Sequence, residues 1–298
     1  ARARELAETA VRDTGLGNVE SKVIKNMRKT FGCLRDLMRV KSVGLIEELP
    51  EKGLVLYAKP VGVVAAVAPS TNPAATPVNK AMMAVKGRNA VIVAPSPAGL
   101  STTTQTVEYM RDELRKVCAP EDLVQVLPAP VNKALTQELM NQVDLVVVTG
   151  SQNNVRRAYS SGTPAIGVGA GNVPVIIDST ADLPDAAKKI MMSKCFDNAT
   201  SCSSENSVTI LDDVYEDAIQ ALKEAGGYLV TAEEKQKILE TLWVDGHLNR
   251  HVIAKDPDVL AEHCGLSEEA KSAKFFLVED QKASARTTRS PTRNCPSC

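Results

Sequence analysis

Hydrophobic and polar positions along the first 178 residues predict strands and helices in alternation. Residues 61–68 form a continuous apolar run of strand length, which is typical of a parallel strand covered on both faces. Strand and helix then alternate about five times with short connections, which predicts an α/β fold with a doubly wound, Rossmann-like parallel sheet. Two amphipathic helices are predicted in residues 1–40, further strands at 53–59, 89–94, 123–127, 144–148 and 173–177, and helices at 74–86, 101–117, 131–141 and 152–159.

The pattern changes near residue 179. A helix at 182–194 is followed by a short polar segment, a strand at 206–211 and helices at 213–225 and 231–242. A less regular stretch then leads to an apolar run at 275–278. We therefore predict three parts: a nucleotide-binding domain with N-terminal helices (1–178), a partial α/β catalytic domain (179–280) and an aberrant or disordered tail (281–298).

The composition excludes some classes of partner but does not identify the function. The 298 residues are 44% hydrophobic and only 3% aromatic, so the predicted core is aliphatic and large enough for two domains. A net charge of −1 argues against nucleic acid or an anionic membrane as the main partner. No apolar run approaches the roughly 18 residues of a membrane span. The charged first residues are unlike a signal peptide, and seven irregularly spaced cysteines favour a reducing cytoplasm.

Polar connections follow three of the predicted strands, at residues 69–72, 95–97 and 149–151. Each lies where a helix begins, and the free N–H groups and macrodipole of a helix start favour phosphate. The standard G-x-G-x-x-G fingerprint is absent from all three. The glycine-rich run at 167–171 precedes a strand, so it is not that fingerprint; its structural interpretation is a tight crossover with positive φ angles. The pattern alone is equally compatible with cofactor-binding and structural roles for these connections.

Cys202 lies in the short polar segment between a predicted helix and a predicted strand. Backbone N–H groups and short hydroxyls can surround a thiol in such a connection, an environment that favours the thiolate. The alternative is that Cys202, like most single cysteines, is a small buried hydrophobe.

Four blocks of sequence resemble the CoA-acylating branch of the aldehyde dehydrogenase superfamily. The blocks occur in the expected order: Pro-Ser-Thr-Asn-Pro at 69–73, Lys-Gly-Arg-Asn-Ala at 86–90, the stretch 158–172, and Ser-Lys-Cys-Phe-Asp-Asn at 193–198 with Cys-Ser-Ser-Glu-Asn at 202–206. Within that branch, residues 199–207 are most similar to the acylating dehydrogenases of sulfoacetaldehyde, and the acetaldehyde enzymes are the alternative.

The resemblance implies roles for particular residues. Cys202 is the nucleophile that attacks the aldehyde, and the Asn72 amide with the Cys202 N–H holds the oxyanion. Hydride passes to NAD or NADP, and coenzyme A then accepts the acyl group. No metal is expected, and the full-length protein is expected to be a homo-oligomer. The candidate cofactor-binding residues are Ser70, Thr71, Ser96, Pro97, Thr149, Gly150, Ser151 and Gly169.

One departure from the hydrolytic dehydrogenases bears on the product. Those enzymes carry Glu-Leu-Gly-Gly, whose Glu activates water, where this chain has Gly169-Ala170-Gly171-Asn172. Without that carboxylate the thioester is expected to survive until a thiol arrives, which favours acyl-CoA over free acid. The competing hypotheses are a hydrolytic dehydrogenase and an inactive, truncated nucleotide-binding fragment.

Residues 281–298 have no apolar period, and the absence of an initiator Met suggests an excerpt. A reading-frame slip is a second explanation of the tail. From Arg286 onward, codons begun on the third base of the preceding codon permit Asp-Tyr-Pro-Phe-Ala-Asp-Glu-Lys-Leu-Ser. The family has a similar Pro-Phe-…-Glu-Lys-Leu segment, whose Glu binds the nicotinamide ribose. Sequencing the coding DNA decides between the two explanations.

Four other features are weaker candidates. We interpret Cys195 as a packing residue. His247 and His251 have the i, i+4 spacing of two ligands on a helix, but a third ligand is missing. The Cys-Pro-Ser-Cys sequence at 295–298 has no second cysteine pair, so we do not interpret it as a redox or zinc motif. Glu205 either tunes the thiol of Cys202 or caps the backbone.

Overall fold

The computed structural model describes residues 2–169 and 171–279, which fall into two compact units. Unit 1 contains the residues up to 15 together with 19–169, and unit 2 contains 16–18 and the described residues from 171 onward. The predicted tail, including the possible frame slip and Cys-Pro-Ser-Cys, lies outside the described residues. No helix within the described part of the chain is long and apolar enough to cross a bilayer.

Unit 1 is an α/β unit with a hairpin. Its helices are α1 (Ala3–Thr14), α2 (Val19–Met38), α3 (Ala75–Lys86), α4 (Leu100–Lys116), α5 (Lys133–Gln142) and α6 (Gln152–Tyr159). Its strands are β1 (Gly44–Leu49), β2 (Leu54–Ala58), β3 (Val63–Val67), β4 (Ala90–Ala94), β5 (Val124–Val126), β6 (Leu145–Thr149) and β7 (Ala165–Val168). The antiparallel β1–β2 hairpin contains a strand, β1, that the pattern did not predict.

Five parallel strands form the central sheet of unit 1, in the order β5-β4-β3-β6-β7. Alternate residues of β3 point to opposite faces, so Ala65 and Val67 pack in the core beneath α5 and α6. Val64 and Ala66 belong to the core on the other face, beneath α3 and α4. Helices cover both faces, and the prediction of a doubly wound parallel sheet is confirmed.

The strand order reverses direction at β3. The chain runs from β3 outward through β4 to β5, and it returns to place β6 on the other side of β3. The neighbours β3 and β6 are in register at Val67 and Val148. Such a reversal leaves a crevice outside the carboxyl ends of the two strands, which is where open α/β sheets bind ligands.

Unit 2 contains two pairs of parallel strands covered by helices. Its strands are β8 (Val173–Ile177), β9 (Glu205–Ile210), β10 (Gly227–Leu229), β11 (Trp243–Val244), β12 (His247–Leu248) and β13 (Phe275–Leu277). Its helices are α7 (Leu183–Lys194), α8 (Tyr215–Glu224), α9 (Ala232–Leu242), α10 (Pro257–His263) and α11 (Glu268–Lys271). β8 pairs with β9, and β10 pairs with β13. The strand predicted at 173–177 therefore pairs within unit 2 and is not part of the five-stranded sheet.

The interpretation of the glycine-rich run at 167–171 is corrected by the structure. Gly167 lies inside β7, and among the described residues the glycines with positive φ include neither Gly167 nor Gly169. A Cβ on Gly167 would lie 2.7 Å from Cγ1 of Val155 in α6. The physical reason for this glycine is close packing of a helix on a strand, and not a left-handed turn.

Candidate functional site

Four chain segments meet at the carboxyl edge of the five-stranded sheet in unit 1. They follow β3, β4, β6 and β7, which are neighbours in the sheet. These segments contain all the predicted cofactor-binding residues: Ser70 and Thr71 after β3, Ser96 and Pro97 after β4, Thr149, Gly150 and Ser151 at the end of β6, and Gly169 after β7. The structure therefore places these residues on one edge of one sheet.

The segment after β3 carries Asn72, the predicted oxyanion donor. This segment packs against α4 and the residue before it. The Thr103 hydroxyl donates a hydrogen bond to the Pro73 carbonyl at 2.9 Å. Gly99 packs so closely on Pro73 that a Cβ on Gly99 would lie only 2.7 Å from Cβ of Pro73. On its other side, Lys22 Nζ of α2 lies 3.5 Å from the Thr71 carbonyl oxygen. Asn72 thus follows a strand end that is braced by two helices.

The turn after β6 has the geometry of a phosphate-binding turn. Ser151 caps α6 by accepting a hydrogen bond from the Asn154 N–H at 3.3 Å, and the Gly150 N–H donates to the Val168 carbonyl at 3.3 Å. Gly150 has a φ of 155°. A Cβ there would meet only Asn154 Nδ2, at 3.8 Å, so the space beside the turn is open to a ligand. The residues present therefore fit the pyrophosphate of a dinucleotide.

Ser96 occupies the corresponding place after β4. Its hydroxyl oxygen accepts from the Gly99 N–H at 3.2 Å and so caps the turn at Pro97–Gly99. Part of the hydrogen-bonding capacity of Ser96 is thus used locally. Since neither an acidic nor a basic side chain stands at this position, the turn itself does not discriminate NAD from NADP.

A buried lysine at the same sheet edge was not predicted. Lys80 of α3 is 6% exposed, and its Nζ donates to the carbonyl oxygens of Val67 at 2.6 Å and Val147 at 2.8 Å. These are the strands β3 and β6 that flank the reversal. Burial lowers the pKa of Lys80 to about 7. The signal in the sequence was a lysine on an otherwise apolar helix face between Val78 and Ala84.

In unit 2, Cys202 is exposed on the connection between α7 and β9. The residues before it have an unusual backbone. Asp197, Asn198 and Ala199 have φ values of 52°, 50° and 56°. Three successive non-glycine residues in the left-handed region are costly, and they persist only where the surroundings hold them.

Asp197 supplies the first part of those surroundings. It is fully buried at 0% exposure. One carboxylate oxygen accepts from the Asn18 N–H at 3.1 Å, and the other accepts from the Thr200 hydroxyl at 2.5 Å. The Thr200 N–H in turn donates to the Asp197 carbonyl at 3.1 Å. The carboxylate thus joins the connection to the segment 16–18 of the same unit.

Asn198 supplies the second part. Its side-chain oxygen accepts from the Asn18 amide at 3.2 Å, and its Nδ2 donates to Asp256 Oδ1 at 3.1 Å. The segment 16–18 is tied to the same place, because the Gly17 N–H donates to the Ala254 carbonyl at 3.1 Å. Neither the asparagine nor its aspartate neighbour was predicted to support Cys202, since their partners are distant in sequence.

Gly171 lies against the backbone of Cys202. A Cβ on Gly171 would be 3.2 Å from the Cys202 carbonyl oxygen, which is tighter than an ordinary contact. On the other side of Cys202, Ser204 Oγ and Glu205 Oε2 are buried without a hydrogen-bond partner among the described residues.

The weaker candidates are now placed in the structure. Cys195 is partly buried, donates from Sγ to the Lys274 carbonyl at 3.3 Å and has its thiol pKa raised by burial. His247 lies on β12 and His251 follows it outside any helix, so they share no helix face. In residues 2–169 and 171–279, no cluster of three His, Cys, Asp or Glu side chains is arranged to hold a metal ion.

The fold and the exposed cysteine define a class of protein. Residues 1–237 match the Aldehyde dehydrogenase family, to which the chain therefore belongs. It is 52% identical over 281 residues to the sulfoacetaldehyde dehydrogenase (acylating) of Cupriavidus necator, a match that covers 94% of this chain and 57% of that protein. The resemblance to the acylating branch is thereby confirmed.

Solved structures agree with this placement. The acetylating aldehyde dehydrogenase of Geobacillus thermoglucosidasius superposes with a TM-score of 0.91 at 36% identity, over 99% of this chain and 65% of that one. The propionaldehyde dehydrogenase of Rhodopseudomonas palustris, solved with bound propionyl-CoA, superposes with a TM-score of 0.79 at 28% identity, over 93% of this chain and 61% of that one. An engineered glycolyl-CoA reductase with bound NADP+ gives a TM-score of 0.80 at 27% identity, with 93% and 63% covered.

Proposed function

We propose that the protein is an NAD(P)-dependent, CoA-acylating aldehyde dehydrogenase with sulfoacetaldehyde as the favoured substrate. The observation that carries this proposal is Cys202: an exposed thiol on a connection whose strained backbone is held by the buried Asp197. The named activity of the Cupriavidus relative supports the substrate. Since the chain spans 57% of that relative, the activity is proposed for the whole protein.

The steps assign one task to each group. The Cys202 thiolate adds to the aldehyde carbon, and Asn72 with the Cys202 N–H stabilises the resulting oxyanion. A bound nicotinamide would supply the acceptor for the hydride, with its electron pair, from this carbon, and Cys202 would then hold the acyl group as a thioester. The thiolate of CoA then attacks the thioester carbonyl, and the Cys202 thiolate leaves. The balance is aldehyde, CoA and NAD(P)+ giving acyl-CoA, NAD(P)H and one proton.

The cofactor assignment rests on unit 1. Ser151 and Gly150 present a helix start with open space beside it, which suits the pyrophosphate. The bound NADP+ and propionyl-CoA of the two solved relatives support the use of a nicotinamide and of CoA. We further propose a homo-oligomeric, cytoplasmic full-length protein, the latter on the free state of the five described cysteines.

The absence of a carboxylate motif supports acyl-CoA as the product. The place of the hydrolytic glutamate is taken by the segment 169–172, of which Gly171 packs on the Cys202 backbone. The position of the glutamate itself is taken by Gly169, which has no side chain that could act as a base. Water therefore has no general base from this segment, and the thioester awaits a thiol.

The test is a CoA-dependent assay of NAD(P)H formation with sulfoacetaldehyde and, separately, acetaldehyde. Cys202→Ala is expected to abolish turnover, while the matched variant Cys195→Ala retains it. Acid formation without CoA would instead support a hydrolytic enzyme.

A second candidate function is an inactive nucleotide-binding fragment. It is favoured by one observation: all the predicted cofactor-binding residues lie in unit 1, while the chain spans only 57% of its relative. Nucleotide binding by this chain without turnover, together with turnover by a chain whose reading frame is corrected after Arg286, would establish this alternative.

A further inference from the structure

Lys80 joins the two strands that flank the crevice of unit 1. Its Nζ donates to Val67, the last residue of β3, at 2.6 Å, and to Val147 in β6 at 2.8 Å. The chain leaves β3 through the turn that carries Ser70, Thr71 and Asn72. It leaves β6 two residues after Val147, through the turn at 149–151. One side chain thus contacts the root of both turns.

Burying a lysine at this position costs desolvation free energy that an apolar residue would not cost. Lys80 is 6% exposed, and burial of an ammonium group without a counter-charge is unfavourable. Its neighbours on the buried face of α3 are Ala81 and Ala84, so the environment is aliphatic. Residue types that are expensive to bury and are nevertheless fully buried are characteristic of functional sites.

The geometry explains what the amine supplies. Both carbonyl oxygens can be satisfied by two N–H groups, so the contact survives whether Nζ carries two or three protons. A methionine of similar length would fill the space but would leave two buried carbonyls without these donors. The function specific to lysine is therefore the double hydrogen bond across β3 and β6.

We propose that Lys80 is a positioning residue that fixes the spacing between the turn at 69–72 and the turn at 149–151. Through that spacing it sets the distance between the oxyanion donor Asn72 and the start of α6, which follows the turn at Gly150 and Ser151. This inference rests on the proposed function for its consequence in catalysis. The connection between the two turns rests on the hydrogen bonds alone.

The first test is hydrogen exchange of the full chain, which requires no ligand. In Lys80→Met, the amides of 68–72 and 149–151 are expected to exchange about tenfold faster, because net hydrogen bonds are lost at the roots of both turns. Lys86→Met, the same change on the same helix at a half-buried lysine, is the matched control and is expected to leave these amides unchanged. Lys80→Gln retains an amide donor and is expected to recover part of the protection.

The second test measures the dissociation constants of NAD+ and NADP+ by calorimetry. Lys80→Met is expected to weaken the tighter-bound dinucleotide about tenfold, with Lys80→Gln intermediate and Lys86→Met unchanged. In the frame-corrected protein, kcat is expected to fall more than KM for the aldehyde changes, because Asn72 acts on the transition state.

Each outcome decides one statement. No change in exchange, or a uniform increase over the whole of unit 1, overturns the proposed link between the turns. If hydrogen exchange in Lys80→Met is faster only at the amides of 68–72 and 149–151 and the dissociation constants of the dinucleotides are unchanged, the positioning role of Lys80 is overturned. If the unaltered chain binds neither dinucleotide, the proposed function fails for this chain, and hydrogen exchange still decides the link.

Discussion

The buried carboxylate of Asp197 is expected to be one of the main stabilising groups of unit 2. Replacement by alanine removes, among its interactions, the hydrogen bonds from the Asn18 N–H at 3.1 Å and from the Thr200 hydroxyl at 2.5 Å. Hydrogen bonds to a charged partner contribute about 1.5–3 kcal/mol each. Since the donors stay buried beside a small cavity, we expect Asp197→Ala to lower the free energy of unfolding by about 3–5 kcal/mol.

The assay follows unit 2 specifically. Trp243 is the single tryptophan of the chain and lies on β11 of this unit, so its fluorescence during urea denaturation reports on unit 2. The midpoint in Asp197→Ala is expected to fall. The slope is expected to stay the same if the unfolded state is unaltered.

Two further variants provide comparison values for the expected loss in the free energy of unfolding. Asp197→Asn keeps an acceptor for the Asn18 N–H, and the Thr200 hydroxyl can rotate to accept from the new amide, so we expect a loss of only about 1–2 kcal/mol. Asp213→Ala, at an exposed aspartate of the same unit, should change stability by less than about 0.5 kcal/mol. If Asp197→Ala is no worse than Asp213→Ala, the buried carboxylate does not hold the Cys202 connection.

Three further predictions concern other groups. The pKa of Lys80 is about 7 in the folded chain against an ordinary 10.5. Between pH 7 and 10.5 the unfolded chain binds more protons than the folded chain, so the free energy of unfolding should rise with pH by up to about 1.4 kcal/mol per pH unit. Denaturation followed by circular dichroism, with Lys80→Met as the reference, measures this slope. Gly171→Ala presses on the Cys202 carbonyl 3.2 Å away and should lower kcat severalfold, whereas Gly32→Ala, with nothing near its Cβ, should not. Iodoacetamide should label the exposed Cys202 at least about tenfold faster than the buried Cys264, whose thiol pKa is raised by burial, as mass spectrometry of the two peptides would show.

Much of unit 1 could be predicted because its signals are local. Continuous apolar runs such as the one at 63–67 mark strands that are covered on both faces. The polar turns that follow them at 69–72, 95–97 and 149–151 then have to meet at one edge, since parallel strands all point the same way. The pattern thus predicted where these turns lie, and the resemblance to the acylating dehydrogenases supplied their candidate role in cofactor binding.

The partner of a strand is not encoded in its periodicity. Residues 173–177 have the same apolar character as the strands of unit 1, yet they pair with β9. The paired residues Val173 and Glu205 are more than thirty positions apart in sequence. An apolar run predicts burial and extended backbone, and leaves the neighbouring strand undetermined. The missed strand β1 has the opposite cause, because two adjacent glutamates, Glu47 and Glu48, interrupt its apolar alternation.

The support of Cys202 escaped prediction for a related reason. Glycine is the usual signal of left-handed backbone, and here the three positions are Asp197, Asn198 and Ala199. Their strain is offset by hydrogen bonds to Asn18 and Asp256, which are distant in sequence. A single sequence shows the polar residues but not which of them meet. The resemblance therefore pointed to Cys202 as the candidate nucleophile, while the groups that hold its connection were missed.

The division of the candidate residues between two units turns one question into two that can be answered separately. Under the proposed function, affinity for a dinucleotide would depend on the sheet edge of unit 1, where Gly150 and Ser151 lie. Reactivity of the Cys202 thiol would depend on unit 2, where the buried Asp197 lies five residues before it in sequence. A chain that passes both tests and still lacks turnover must be missing groups that act on hydride or acyl transfer. Restoration of turnover by a frame-corrected chain would then assign that loss to the residues after Arg286, and not to either of the two sites described.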